Sequence, residues 1–137
     1  MKKNIILLII GCVLLACKDQ YSSSDEWCVR AHEEVTGVVT NEEGDPLQGI
    51  LIKKYLDRDL SQEALNQKIY SNAEGKYRLS ELSRYTSDME FSEFFLSVTD
   101  PANVYKSQII LVQVRYCLLK YHNMVGKAEV NIVMTKK

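Results

Sequence analysis

The chain has 137 residues, and its 17 Lys and Arg against 18 Asp and Glu give a formal net charge of −1. No clustered basic face breaks this mild acidic balance, which argues against nucleic acid or an anionic membrane surface as an electrostatic partner. The length suits one domain with its own core rather than several.

Met1-Lys2-Lys3 forms a short positive region ahead of the apolar stretch Ile5 to Leu15. At about 11 residues that stretch is well short of the roughly 20 a helix needs to cross a bilayer, so a cleaved signal is expected instead of a membrane span. Leu14-Leu15-Ala16-Cys17 resembles a lipobox, in which cleavage falls before an acylated cysteine. Ile9-Ile10-Gly11-Cys12 competes with it, but leaves a shorter apolar region than an ordinary signal core. With Cys17 as the lipidated terminus, removal of residues 1–16 takes Lys2 and Lys3 away and brings the formal charge from −1 to −3. Multiple acyl chains then hold the protein to a membrane where a single chain would be marginal. Lys18 after the cysteine is compatible with export to the outer membrane, and one acidic residue, Asp19, does not decide which face of it. Residues 17–33 are expected to be a lipidated tether, polar and without periodicity up to Asp25. Residues 34–137 are expected to be the folded domain.

That domain opens with Val35 to Thr40 and Ile50 to Tyr55, two β-rich runs around the turn formers Asn41, Gly44, Asp45, Pro46 and Gly49. Gly75 precedes Lys76-Tyr77 in a second turn, where a residue with φ > 0 lets the chain reverse. Ser61 among polar helix formers, with Leu60, Ala64 and Leu65, suggests a short helical insertion between Asp57 and Gln67. Glu81 to Glu93 reads as a second insertion, a loop with one short helix. Phe94 to Thr99 alternates as a strand, Asp100 to Asn103 turns, and Ser107 to Lys120 is a long β-rich run. Lys127 to Thr135 sets Ala128, Val130, Ile132 and Met134 on one face. The expected class is all-β: a seven-stranded antiparallel β-sandwich with short helical or loop insertions.

Val35-Thr36-Gly37-Val38-Val39-Thr40, then Glu43-Gly44-Asp45-Pro46-Leu47-Gln48-Gly49-Ile50, then Gly75-Lys76-Tyr77 resemble the carboxypeptidase regulatory-like domain. That resemblance implies a sandwich of transthyretin (prealbumin) type. With the lipoprotein leader and Val130 to Lys137 as a closing strand, the chain looks most like small lipoproteins associated with radical SAM proteins in Bacteroidota.

Chemical motifs are sparse. His32 and His122 form no H-x-x-H or H-E-x-x-H grouping, so no zinc site is expected. Asn41, Glu43 and Asp45 alternate oxygen groups as a calcium loop would, but the remaining ligands and the closing Glu are missing. There is no G-x-S-x-G elbow and no Gly-rich phosphate loop. No cofactor is expected. Cys28 and Cys117 are not in a C-x-x-C motif. An exported domain could join them in a disulfide closing a loop of about 90 residues, for which chain entropy gives about 4–5 kcal/mol. Alternatively both are buried small hydrophobes. The expected function is a non-enzymatic envelope lipoprotein whose sandwich is an interaction or accessory module with a protein partner. Two alternatives stand beside it. One is a glycan- or peptide-binding module using Tyr85, Phe91 and Tyr105, among candidates that include Tyr116 and Tyr121. The other, implied by the resemblance, is a substrate or partner of a radical SAM maturation system.

The anchoring reading gives a first prediction. Cys17→Ala should abolish incorporation of a fatty-acid analogue and leave unprocessed precursor, whereas loss of labelling in Cys12→Ala instead would move the site.

Overall fold

The computed structural model describes residues 29–64, 68–85, 91–119 and 123–137. The leader, Cys12, Cys17, Trp27, Cys28, Tyr121 and His122 lie outside that part, as do the side chains of Tyr85 and Cys117. The described residues form eight strands and no helix: β1 (Val29–Asn41), β2 (Leu51–Tyr55), β3 (Ile69–Tyr70), β4 (Lys76–Tyr85), β5 (Phe91–Thr99), β6 (Gln108–Leu119), β7 (Asn123–Glu129) and β8 (Ile132–Met134). β1 thus begins ahead of the expected start of the domain at Glu34.

One continuous sheet in the order β3-β2-β5-β6-β7-β1-β4 curls nearly into a barrel, and β8 pairs with the far end of β1. β6 carries the sheet around. Its Gln108 to Arg115 segment pairs with β5, and Tyr116 to Leu119 pairs with β7. Most pairings are antiparallel, but β1 runs parallel to β7 and to β8. The all-β class therefore holds, while the expected seven strands are eight and the expected wholly antiparallel pairing is mixed. The single closing strand anticipated over Lys127 to Thr135 is broken at Val130 and Asn131. There the Val130 N–H bonds to Thr36 O and Asn131 Oδ1 accepts from the Val38 N–H, so this segment still pairs with β1 without a continuous ladder.

Alternation builds the core. Phe94, Leu96 and Val98 of β5 point inward, as do Ile110, Val112 and Val114 of β6 and Ile132 and Met134 of β8, all buried. Tyr77 joins them from β4, its hydroxyl donating to Val130 O at 2.7 Å, and burial pushes its phenol well above the ordinary value.

The expected helix between Asp57 and Gln67 is replaced, over its described residues, by a turn. The Asp57 carboxylate accepts from the N–H groups of Ser61 and Gln62 and from the Ser61 hydroxyl, and Leu60 has φ 57°. A side chain that caps its own backbone in this way competes with helix formation. Ala64 then returns to the sheet, its N–H bonding to Lys54 O. In the second insertion β4 runs on to Tyr85 and β5 starts at Phe91, so strand occupies most of what was expected to be loop and helix.

Gly75 has φ 74°, and a Cβ there would lie 2.4 Å from Val39 O; Gly44 has φ 89° with open space around it. Both positions disfavour side chains, but at Gly75 backbone must also move. Gly75→Val should therefore lower stability by at least about 1–3 kcal/mol, and Gly44→Ala by distinctly less. Equal denaturation midpoints for the two variants would contradict this account of the second turn.

Candidate functional site

Three charged residues occupy inward positions in this apolar interior. Along β1 the buried positions are Ala31, Glu33, Val35, Gly37, Val39 and Asn41; β2 contributes Ile52 and Lys54, and β4 contributes Tyr77, Leu79 and, next in that row, Glu81. Glu33 and Glu81 are direct cross-strand partners. The Lys54 ammonium lies between them and hydrogen-bonds to Oε1 of each. Side-chain exposure is 6% for Lys54, 3% for Glu33 and 12% for Glu81, so the group is desolvated and slightly more open toward Glu81.

The other oxygen of Glu33 is held as well. The Tyr116 hydroxyl, from the part of β6 that turns toward β7, donates to Glu33 Oε2 at 2.5 Å. The Lys54 ammonium also sits over the Phe94 ring, 4.2 Å from its centroid, a geometry in which the ring face attracts the cation. A small cavity of about 10 Å³ adjoins the group, lined among others by Glu33, Lys54, Ala64 and Glu81. Close by, Ser80 Oγ lies 3.1 Å from His32 Nε2. Thus two carboxylates, one ammonium, a phenol and an aromatic face converge from β1, β2, β4, β5 and β6. Such an arrangement can transfer protons and stabilise charge out of contact with bulk water.

The residues anticipated from sequence are placed differently. Phe91 is 50% exposed, while Tyr105 packs against the core and bridges to Lys136. Tyr116 serves the buried charges rather than an exposed platform. In the first turn Asn41 Nδ2 donates to Asp45 Oδ2, and the Asp45 N–H donates back to Asn41 Oδ1, so each of these oxygens accepts from an N–H group of the other residue. Among the described residues, no group of three or more His, Cys, Asp or Glu could hold a metal ion. Glu33, Lys54 and Glu81 went unnoticed in the sequence, although each falls on the inward beat of an alternating strand.

No family model matches the chain, and no curated protein matches it. Solved structures do share the fold. 3-Chlorocatechol 1,2-dioxygenase from Rhodococcus opacus 1CP aligns with a TM-score of 0.54 and 10% identity over 84% of this chain and 63% of the enzyme. Hydroxyquinol 1,2-dioxygenase from Pseudomonas putida DLL-E4 gives 0.52 and 10% over 78% and 57%. Catechol 1,2-dioxygenase from Acinetobacter radioresistens gives 0.53 and 12% over 80% and 53%. The chain thus spans less than two thirds of the length of these enzymes. At such identities the likeness is one of fold. It nevertheless overturns the expectation that this chain is not an enzyme, because the fold it shares is one on which enzymes are built. That expectation rested on motifs spaced along the sequence, whereas a curled sheet assembles side chains from distant strands, as it does here.

The buried charges give a further prediction. Lys54→Met removes the cation and leaves two carboxylates facing each other in the interior, which should cost about 3–5 kcal/mol. Lys53→Met, at a half-buried neighbour paired with Glu63, should cost under about 1 kcal/mol. Urea denaturation of both variants checks the contrast.

Proposed function

We propose that this chain is a lipid-anchored protein of the cell envelope whose β domain, a sandwich of transthyretin type, serves as an interaction or accessory module. The observation that carries the reading is the leader: a positive start, an apolar stretch too short to span a bilayer, and Cys17 directly after Leu14-Leu15-Ala16, placed ahead of an all-β domain. The curled sheet supports the sandwich assignment, since the part formed by β3, β2, β5 and the first half of β6 faces the part formed by β7, β1 and β4 across one core. The resemblance to carboxypeptidase regulatory-like domains agrees with this arrangement, and its turns at Gly44 and Gly49 project from the sheet with exposed Glu42, Glu43 and Gln48. A glycan- or peptide-binding role is a second reading, favoured by the half-exposed Phe91 at the start of β5.

A photo-crosslinking residue placed at Glu43 or at Phe91 in the membrane-anchored protein tests these roles in cells. Capture of one defined envelope protein from Glu43, absent with the crosslinker at the buried Leu96, is the expected outcome. Capture of glycan or short peptide from Phe91 alone would favour the second reading, and no capture from either site would remove both.

A further inference from the structure

We propose that Lys54 and Glu33 close an intramolecular isopeptide bond, formed by the site itself with Glu81 as the catalytic proton relay. Four features of the buried group lead there, and none depends on the envelope role. First, two carboxylates and one ammonium are enclosed in an interior where ions are costly to desolvate. Condensation converts Lys54 and Glu33 into a neutral amide and leaves one carboxylate, Glu81, which is the most open of the three toward solvent.

Second, the reacting atoms are already neighbours. A hydrogen bond from Lys54 Nζ to Glu33 Oε1 makes the ammonium and the carboxyl group direct neighbours, the juxtaposition a near-attack arrangement requires. Third, the Tyr116 hydroxyl donates to the opposite oxygen, Oε2, where negative charge develops when the nitrogen adds to Cδ. Glu33 rather than Glu81 is therefore the acceptor: it is the more deeply buried of the two and the one polarised by this phenol. Fourth, Glu81 Oε1 accepts from the same ammonium, so it can take a proton from nitrogen and return it to the departing oxygen. The fully buried Phe94 ring closes the other side of Nζ against water.

The step balances without an oxidant or any co-reactant. The Nζ–Cδ bond forms and the Cδ–Oε1 bond breaks. Two of the three ammonium protons leave with Oε1 as one water, and one of them passes through Glu81, which ends as the carboxylate it began as. The adjoining cavity of about 10 Å³ approaches the size needed to hold one water, the leaving group of the reaction. The product ties β1 covalently to β2, two strands that are not neighbours in the sheet.

Digestion of the full-length protein followed by tandem mass spectrometry tests this directly. The expected result is a branched peptide joining Lys54 to Glu33, lighter by one water than its two linear components. Lys54→Arg, which keeps the charge, should yield linear peptides only. Glu81→Gln should lower the branched fraction at least tenfold at a fixed time after synthesis; an unchanged fraction would overturn the relay. Linear Lys54 and Glu33 peptides alone from folded wild-type protein, or a branch joining Lys54 to Glu81, would overturn the bond.

Discussion

A sheet that curls on itself must join its two ends, and here the ends meet poorly. β3 is two residues long and pairs with β2 at Leu51 and Ile52, and among the described residues no ladder joins β2 or β3 to β4. At one end Ser71 extends the β2–β3 pairing past Leu51. Its backbone exchanges bonds with Gly49 and Ile50, and its hydroxyl donates to Leu47 O while accepting from the Ile50 N–H. At the other end the 62–64 segment lies along β2, with the Ala64 N–H bonding to Lys54 O and the Leu56 N–H to Gln62 O, and the link onward to β1 and β4 is made by Lys54 of β2 reaching Glu33 of β1 and Glu81 of β4. Hydrophobic burial drives the strands together in a non-directional way. The buried charges add a directional demand, because each must find its partner or remain desolvated alone.

The same constraint explains the surroundings of the triad. Phe94, on β5 beside β2, supplies an aromatic face to the ammonium, and Tyr116 occupies the point at which β6 leaves β5 and begins to pair with β7. The parallel placement of β7 beside β1 spans Ala31 to Thr36, which brackets Glu33 and covers the flank of β1 opposite β4. Long strands shared between neighbours therefore hold the acidic residues in fixed register, while the lysine arrives from the other end of the sheet.

Local features were the legible part of the fold. Gly75 adopts the positive φ expected of its turn, as do Gly44 and Gly49, and the alternation of Phe94 to Thr99 matches the greater part of β5, which itself begins at Phe91. The inward face of Val130, Ile132 and Met134 was also readable, since buried apolar residues at period two leave few alternatives. The break in that strand was not, because it depends on Asn131 bonding to a residue far away in sequence. The turn that replaces the expected helix over the described residues after Asp57 has the opposite cause: helix-forming residues are present, but one carboxylate captures the backbone donors of Ser61 and Gln62. The triad was legible only in part. Glu33, Lys54 and Glu81 each occupy an inward beat, yet a charged residue near the end of an apolar run reads equally well as the strand leaving the core. Their convergence depends on the curl of the sheet, which no local pattern encodes.

The claim that Lys54 and Glu81 close the seam between β2 and β4 is tested most directly by a double-mutant cycle with Lys54→Met and Glu81→Leu, read by urea denaturation. Residues in contact within one buried network should show a coupling energy of at least about 1 kcal/mol. Effects that add to within about 0.5 kcal/mol would show that the two residues do not meet, and would contradict the account.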